Sequence, residues 1–363
     1  MPPAGTSGAA QPRYHNGTPA INIASVFPIF DLNSNRAITS DELERCARLV
    51  TGLRAPPSSD RFGTEAQWTT LEGVPAHDLT KYSLGGFDPD FVRRLRLQSY
   101  IFTGYHLSDV LTGVSTPTWG GPTWASGEWQ DWAIQAFFLY RELMSPAVLV
   151  TPPLVAGEVG FNIFGCCVNR DGIAYMDRVK LMSEAGIIDR LRRLDRPRIL
   201  EIGGGYGGLA YFLTRILPRA SYVIVDLPSS LMHSGCYLTV AQSTHPVRLS
   251  DGTAAEVAPE IELLTNTMAD TLIGRRFDLA INTISFAEMP AEVVRGYVDL
   301  IDRTLADDGE LFEQNTSIDP EAVGRSNFCR PEVILHERMQ YRGFLEHAGL
   351  GLWPARLWSA KRA

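Results

Sequence analysis

The residues most able to do chemistry lie in EIGGGYGGLA, from Glu201 to Ala210, which places five glycines in six positions. Glycine loses more freedom on ordering than any other residue. A cluster of them therefore marks a backbone that turns sharply or lets something approach closely. Gly203, Gly205 and Gly208 satisfy G-x-G-x-x-G, the spacing of a strand-to-helix turn that holds a nucleotide-containing ligand, and Asp226 stands about 20 residues further on, where an acid can meet a ribose. A nicotinamide or flavin dinucleotide fits this pattern, and so does S-adenosylmethionine. Glu201 separates the two. A carboxylate two residues before the first glycine repels a pyrophosphate, whereas it favours a sulfonium and an ammonium. The unit also sits in mid-chain, and the polar loop TISFAEMP after FDLAIN is placed to cover a methyl donor.

Methyl transfer to a hydroxyl requires in-line alignment and removal of a proton. Glu288, in the loop after FDLAIN, is the first candidate base; its alternative is a charge set before a helix N-terminus at Pro290. Asn282 and Ser285 share that loop and are expected to touch the cofactor. His336, on the helix after the next strand, is the second candidate, its alternative being an ordinary surface histidine, and His106 and His347 rank behind it. Glu313 and Asn315 end the strand GELFEQN. No compact metal-ligand cluster is visible and no metal site is assigned, a divalent metal that lowers the hydroxyl pKa staying an alternative to a base. Asp307 and Asp308 before Gly309 read as a turn, and the five cysteines lack metal spacing.

The elements that would hold these residues change character near residue 195. Before it the patterns are mostly helical: 39–53, opened by a Thr/Ser cap with early acids, then 88–102, 126–144 and 173–194. Between them GVSTPTWGGPTWASG is a loop too long for a simple connector. Its Trp119 and Trp124, with Trp129 and Trp132 in the next helix, suit either a pocket floor or core and dimer packing. After it, strands at 197–202, 221–227, 260–266, 277–283 and 309–315 alternate with helices at 206–217, 228–242, 290–305 and 330–350, and a strand pair closes at 350–360. That alternation predicts an α/β fold, a doubly wound Rossmann-like sheet preceded by a mostly helical domain. Ligands on such sheets sit beyond the C-terminal strand ends. The expected division is a disordered tail over 1–20, a helical substrate or dimerisation region over 21–160, and a cofactor-binding domain over 161–363.

The chain has 363 residues and a formal net charge of −8. An acidic balance disfavours non-specific binding to nucleic acid or anionic membrane. No apolar run approaches a membrane span, and the start lacks the charged and apolar parts of a signal peptide. Reduced thiols and a cytoplasmic setting are expected. The partners implied are a small-molecule substrate and a second copy in a homodimer, with neither nucleic acid nor membrane.

RILEIGGGYGGLA, with YVIVDLP and FDLAINTISFAEMP, resembles class I S-adenosylmethionine-dependent methyltransferases. Together with VNRDGIAYMDRVKLM upstream, it resembles more narrowly a bacterial group named as sugar O-methyltransferases. The resemblance spans roughly 158–316, and Gly172 departs from it where a Thr is expected. It implies that Gly203, Gly205 and Gly207 wrap the methionine part of the cofactor. Glu201 would orient that loop or reach the ammonium through water. Asp226, with Leu227 beside it, would take the ribose hydroxyls. Met268 would pack on the adenine, with Asp270 near its amino group, and ordinary core packing is the alternative for Met268. The Asn/Asp-Pro-Pro-Tyr signature of many amino-group methyltransferases is absent, which favours an oxygen acceptor on a sugar or small hydroxylated metabolite. N- or C-methylation, a nicotinamide oxidoreductase and a cofactor-binding accessory protein without turnover remain the alternatives.

Overall fold

The computed structural model describes residues 27–30, 32–53, 61–63, 88–99, 127–242, 244–252, 260–315, 329–346 and 354–361. The expected tail, Trp119 and Trp124, His106 and His347 lie outside the described residues, as do the side chains of Trp129 and Trp132.

The glycine loop owes its position to an eight-stranded sheet. Its strands are β4 (Arg198–Ile202), β5 (Ser221–Asp226), β6 (Val247–Leu249), β7 (Ile261–Thr265), β8 (Phe277–Thr283), β9 (Leu305–Gln314), β10 (Met339–Leu345) and β11 (Ala355–Ala360). Their order is β10-β11-β9-β8-β4-β5-β7-β6. The six from β9 to β6 are parallel, and β11 runs antiparallel to both β9 and β10. Parallel strands covered on both faces read as near-continuous apolar runs, as Ile199, Leu200, Ile202 and Tyr222–Val225 do here. The chain moves outward from β4 in both directions, through β5 on one side and β8 on the other. β4 therefore stands at the reversal of strand order, where open α/β sheets bind ligands.

One face carries α1 (Ser40–Gly52), α4 (Arg170–Glu184), α6 (Gly208–Ile216) and α7 (Pro228–Ala241), packed into one core with Cys46, Leu49, Tyr175, Leu209 and Leu238. α2 (Pro89–Ser99) and α3 (Gly127–Leu143) add Phe91 and Phe137 to the same core. The other face carries α8 (Ala291–Thr304) and α9 (Pro331–Arg338), packed through Val294, Ile301 and Leu335. Thr39 and Glu42 cap α1 reciprocally, at 3.2 and 2.8 Å. Asn169 caps α4, accepting from the Gly172 N–H at 2.8 Å. Gly186, at φ 74°, separates α4 from α5 (Ile187–Arg193), so the run expected as one helix over 173–194 is two.

Other expectations change as well. Besides its helices, the region before β4 holds β1 (Ile29–Phe30), β2 (Gly160–Ile163) and β3 (Cys166–Val168), a three-stranded antiparallel sheet that was not expected. The helix expected over 330–350 stops at Arg338. Met339–Leu345 pairs with Ala355–Ala360 instead, with a bulge at Tyr341/Gly343. Asp307 and Asp308 lie within β9 rather than in a turn before it. There the register against β8 is irregular between Phe277 and Leu279, and Gly309 approaches the Phe277 carbonyl too closely for a side chain.

Candidate functional site

At the end of β4 the backbone takes positive φ at Gly203 (76°), Gly205 (55°) and Gly207 (87°). The reasons differ. A Cβ on Gly203 would lie 2.2 Å from Ser285 Oγ, and one on Gly207 would lie 2.7 Å from Leu238 Cδ1. Those two glycines make room for the protein itself. A Cβ on Gly205 would meet nothing within 4 Å, so Gly205 faces open space. The Gly205 N–H donates to Asp226 Oδ2 at 3.0 Å, and the Leu227 N–H donates to Oδ1 at 2.8 Å. Asp226 thus binds the loop to the end of β5.

Glu201 lies beneath this loop, 2% exposed, and accepts from Tyr222 Oη at 2.9 Å. Burial pushes its carboxyl up to about 7 against the pull of Tyr222 and the Arg178 charge. Arg178, on α4, donates from Nε to Gln314 Oε1 at 2.9 Å and lies 5.3 Å from the Tyr175 ring. Tyr175 in turn seals Gly208, whose Cβ would stand 2.3 Å from it.

The loop after β8 is pinned to the glycine loop. Asn282, fully buried, donates to the Ile202 carbonyl at 3.0 Å and to Ser285 Oγ at 2.6 Å, and accepts from Asn315 Nδ2 at 2.8 Å. Ser285 also reaches the Ile202 carbonyl, at 3.3 Å. Both were expected to touch cofactor; this structure places Asn282 wholly behind the loop, as a strut. Ile284, between them, holds φ at 70°, a costly value for a β-branched residue. Glu288 ends the 3₁₀ turn Ser285–Glu288 at the ligand edge, half-buried. Glu313 is sealed between Asn315 and Arg356, at 2.9 and 3.3 Å, and burial raises its pKa.

On the far side of β5, Met268 and Asp270 occupy the 3₁₀ turn Asn266–Leu272 after β7. Met268 is half-buried, and Asp270, exposed, pairs with Arg61 at 2.8 Å. Asn266 donates to the Phe62 and Gly63 carbonyls at 3.2 and 2.6 Å. The segment Arg61–Gly63 therefore crosses this edge of the sheet.

His336 is a correction. α9 descends from the ligand edge, where Cys329 Sγ meets the Phe286 carbonyl, to the opposite edge, where β10 begins at Met339 against Ala360. His336 stands in its last turn, exposed, edge-on to Trp358 at 4.8 Å, and its carbonyl accepts from Lys361 Nζ. It cannot serve as a base at the glycine loop.

Sequence reasoning missed Arg96. This α2 residue, 2% exposed, bridges Glu158 (2.9 Å, twice) and Asp171 (3.0 Å). It also lies 3.9 Å from the ring centroid of Tyr206, inside the glycine loop, and donates to its hydroxyl at 3.2 Å. No local signal links residue 96 to residue 206. Among the described residues, no group of three His, Cys, Asp or Glu is arranged to hold a metal, and no helix is long and apolar enough to cross a membrane.

No family model matches the chain, and no curated protein matches it. Solved structures do. The chain is similar to the N-methyltransferase NodS of Bradyrhizobium japonicum in complex with S-adenosyl-L-homocysteine, at 16% identity over 50% of this chain and 88% of that one, TM-score 0.32. It is similar to a TehB-like SAM-dependent methyltransferase of Corynebacterium glutamicum at 15% identity, over 52% and 97%, TM-score 0.32. A mutant of MtNAS matches at 12% identity, over 89% and 99%, TM-score 0.37. The fold is a mixed α/β sheet of the Rossmann-like type.

Proposed function

We propose that the cleft binds S-adenosylmethionine and that the protein is a methyltransferase acting on oxygen of a small acceptor, a sugar or another hydroxylated metabolite. One observation carries this reading: a glycine loop open only at Gly205 is tied to Asp226 and underlain by the buried carboxyl of Glu201. An acid there suits a cationic ligand and opposes a pyrophosphate. Bound cofactor would supply the methyl group already activated on sulfur. Asp226 and Leu227 would hold its ribose, Glu201 and the glycine loop its methionine part, and Met268 its adenine. Glu288 at the ligand edge would accept the hydroxyl proton.

The region 21–160 is assigned the acceptor pocket, supported by Arg61–Gly63 reaching the ligand edge. It is also assigned a homodimer contact, supported by exposed Phe138 and Leu143. Five unpaired cysteines fit the reducing cytoplasm.

Calorimetry with S-adenosylhomocysteine and with NAD(P)H tests the reading. Binding of the first alone supports it, and binding of the second alone makes the protein an oxidoreductase. A bound methyl donor with no transfer to any hydroxylated, amino or carbon acceptor would indicate an accessory protein.

A further inference from the structure

Two arginines are buried among the described residues, Arg96 at 2% and Arg178 at 6% exposure. Arg96 has two carboxylates against it. Arg178 has none within ion-pair distance among the described residues. Its Nε is taken by Gln314, whose amide nitrogen passes a weak 3.5 Å contact on to Asp177, itself held by Tyr140 Oη at 2.7 Å. The two terminal nitrogens of Arg178 donate to no group among the described residues, yet neither is sealed from solvent. A guanidinium buried without a counter-ion is costly. A side chain held in that state, with unbonded terminal nitrogens that solvent can reach near Tyr175 and Glu201, is suited to receive an anion.

We propose that Arg178 is a carboxylate-binding residue of this cleft. Its planar fork matches a carboxylate in bidentate fashion. Glu201 and Asp177 nearby oppose the double charge of a phosphate and suit a single negative charge, the more so if an ammonium accompanies it. The carboxylate has two possible bearers, the amino-acid end of the cofactor or an acidic acceptor. The inference rests on the methyl-donor reading above.

Titration of wild type, Arg178→Met and Arg178→Lys with S-adenosylhomocysteine and 5′-methylthioadenosine, which lacks the amino-acid end, tests it. If the cofactor bears the carboxylate, Arg178→Met weakens S-adenosylhomocysteine about 10- to 100-fold and 5′-methylthioadenosine by less than about twofold. Arg178→Lys, which keeps the charge and loses the fork, falls between them and carries the test should the methionine variant not fold. If the acceptor bears it, affinity for S-adenosylhomocysteine is unchanged, and wild type loaded with it binds D-glucuronate while the loaded variants do not. Equal weakening of both nucleosides makes Arg178 a structural strut and overturns the inference. So does unchanged S-adenosylhomocysteine affinity with no difference in glucuronate binding. A wild type that binds neither nucleoside overturns the proposed function, and this inference with it.

Discussion

Gly205 and Asp226 are joined across the ends of β4 and β5, beside the reversal of strand order: the Gly205 N–H donates to Asp226 Oδ2 at 3.0 Å, while Oδ1 takes the Leu227 N–H at 2.8 Å. One carboxylate therefore sets the open position of the loop and the entry to α7. We expect Asp226→Ala to weaken S-adenosylhomocysteine by about 1.5–3 kcal/mol, the scale of hydrogen bonds to a charged group. Calorimetry showing unchanged affinity would remove Asp226 from the ribose site.

Gly203 and Gly205 both hold positive φ, so the backbone strain of an added side chain is common to them. Only Gly203 adds a collision, with Ser285 Oγ. Gly203→Ala is expected to lose about 1–3 kcal/mol more stability than Gly205→Ala, the usual cost of overpacking. Gly205→Ala should instead lose ligand affinity, and Gly205→Val should abolish binding while circular dichroism still reports a folded chain. Normal affinity in folded Gly205→Val would refute the placing of ligand over this residue.

Glu288 and His336 lie at opposite edges of the sheet. Glu288→Gln should lower kcat by about 10²–10⁴-fold with cofactor affinity unchanged. His336→Ala should leave kcat at the wild-type value. Steady-state kinetics in which the histidine variant is the inactive one would reverse this assignment.

Burial holds the Glu201 carboxyl at about 7 against an ordinary 4.5. The folded chain thus binds this proton more tightly than the unfolded chain. The group's contribution makes stability fall as pH rises from about 4.5 to about 7, and level off above. Glu201→Gln removes that slope. Urea titrations should show the variant gaining on wild type by about 1–3 kcal/mol between pH 5 and pH 8. An equal difference at both pH values would count against the buried titration.

Arg96 is the shared ion-pair partner of Glu158 and Asp171, all three side chains being buried. Arg96→Met should cost about 3–5 kcal/mol, because two carboxylates are left buried. It should also weaken S-adenosylhomocysteine, because Tyr206 loses the group that holds it. Denaturant unfolding and calorimetry read the two effects separately.

The parallel half of the fold is legible because its signals are local. RILEI, SYVIVD, IELLT and FDLAINT are strand-length apolar runs, and the glycines after the first of them mark the turn. The hairpin of β2 and β3 also had a local signal, since Phe164-Gly165 is a two-residue connection between apolar runs. What escaped depends on pairing between distant segments. Met339–Leu345 has helix-like composition, yet its partner strand decides its state, as is usual for β structure. His336 was placed on a helix correctly but at the wrong edge, because the direction of α9 follows from β10 and β11. Asn282 and Ser285 were found in the right loop, whereas their engagement with the Ile202 carbonyl depends on how closely two loops approach. Arg96 and Arg178 are ordinary helix arginines in sequence. Only burial distinguishes them.

The strand order carries a consequence for assembly. β11 comes after β10 in the chain but lies between β10 and β9, so β9 gains no partner on that side until β11 enters. Arg356, the counter-ion of Glu313 at the ligand edge, arrives on the same strand. A folding intermediate that lacks β11 therefore has an open sheet edge and an uncompensated acid beside the cleft, the kind of exposed edge through which chains associate wrongly. Completion of the sheet and neutralisation of the cleft wall are a single event.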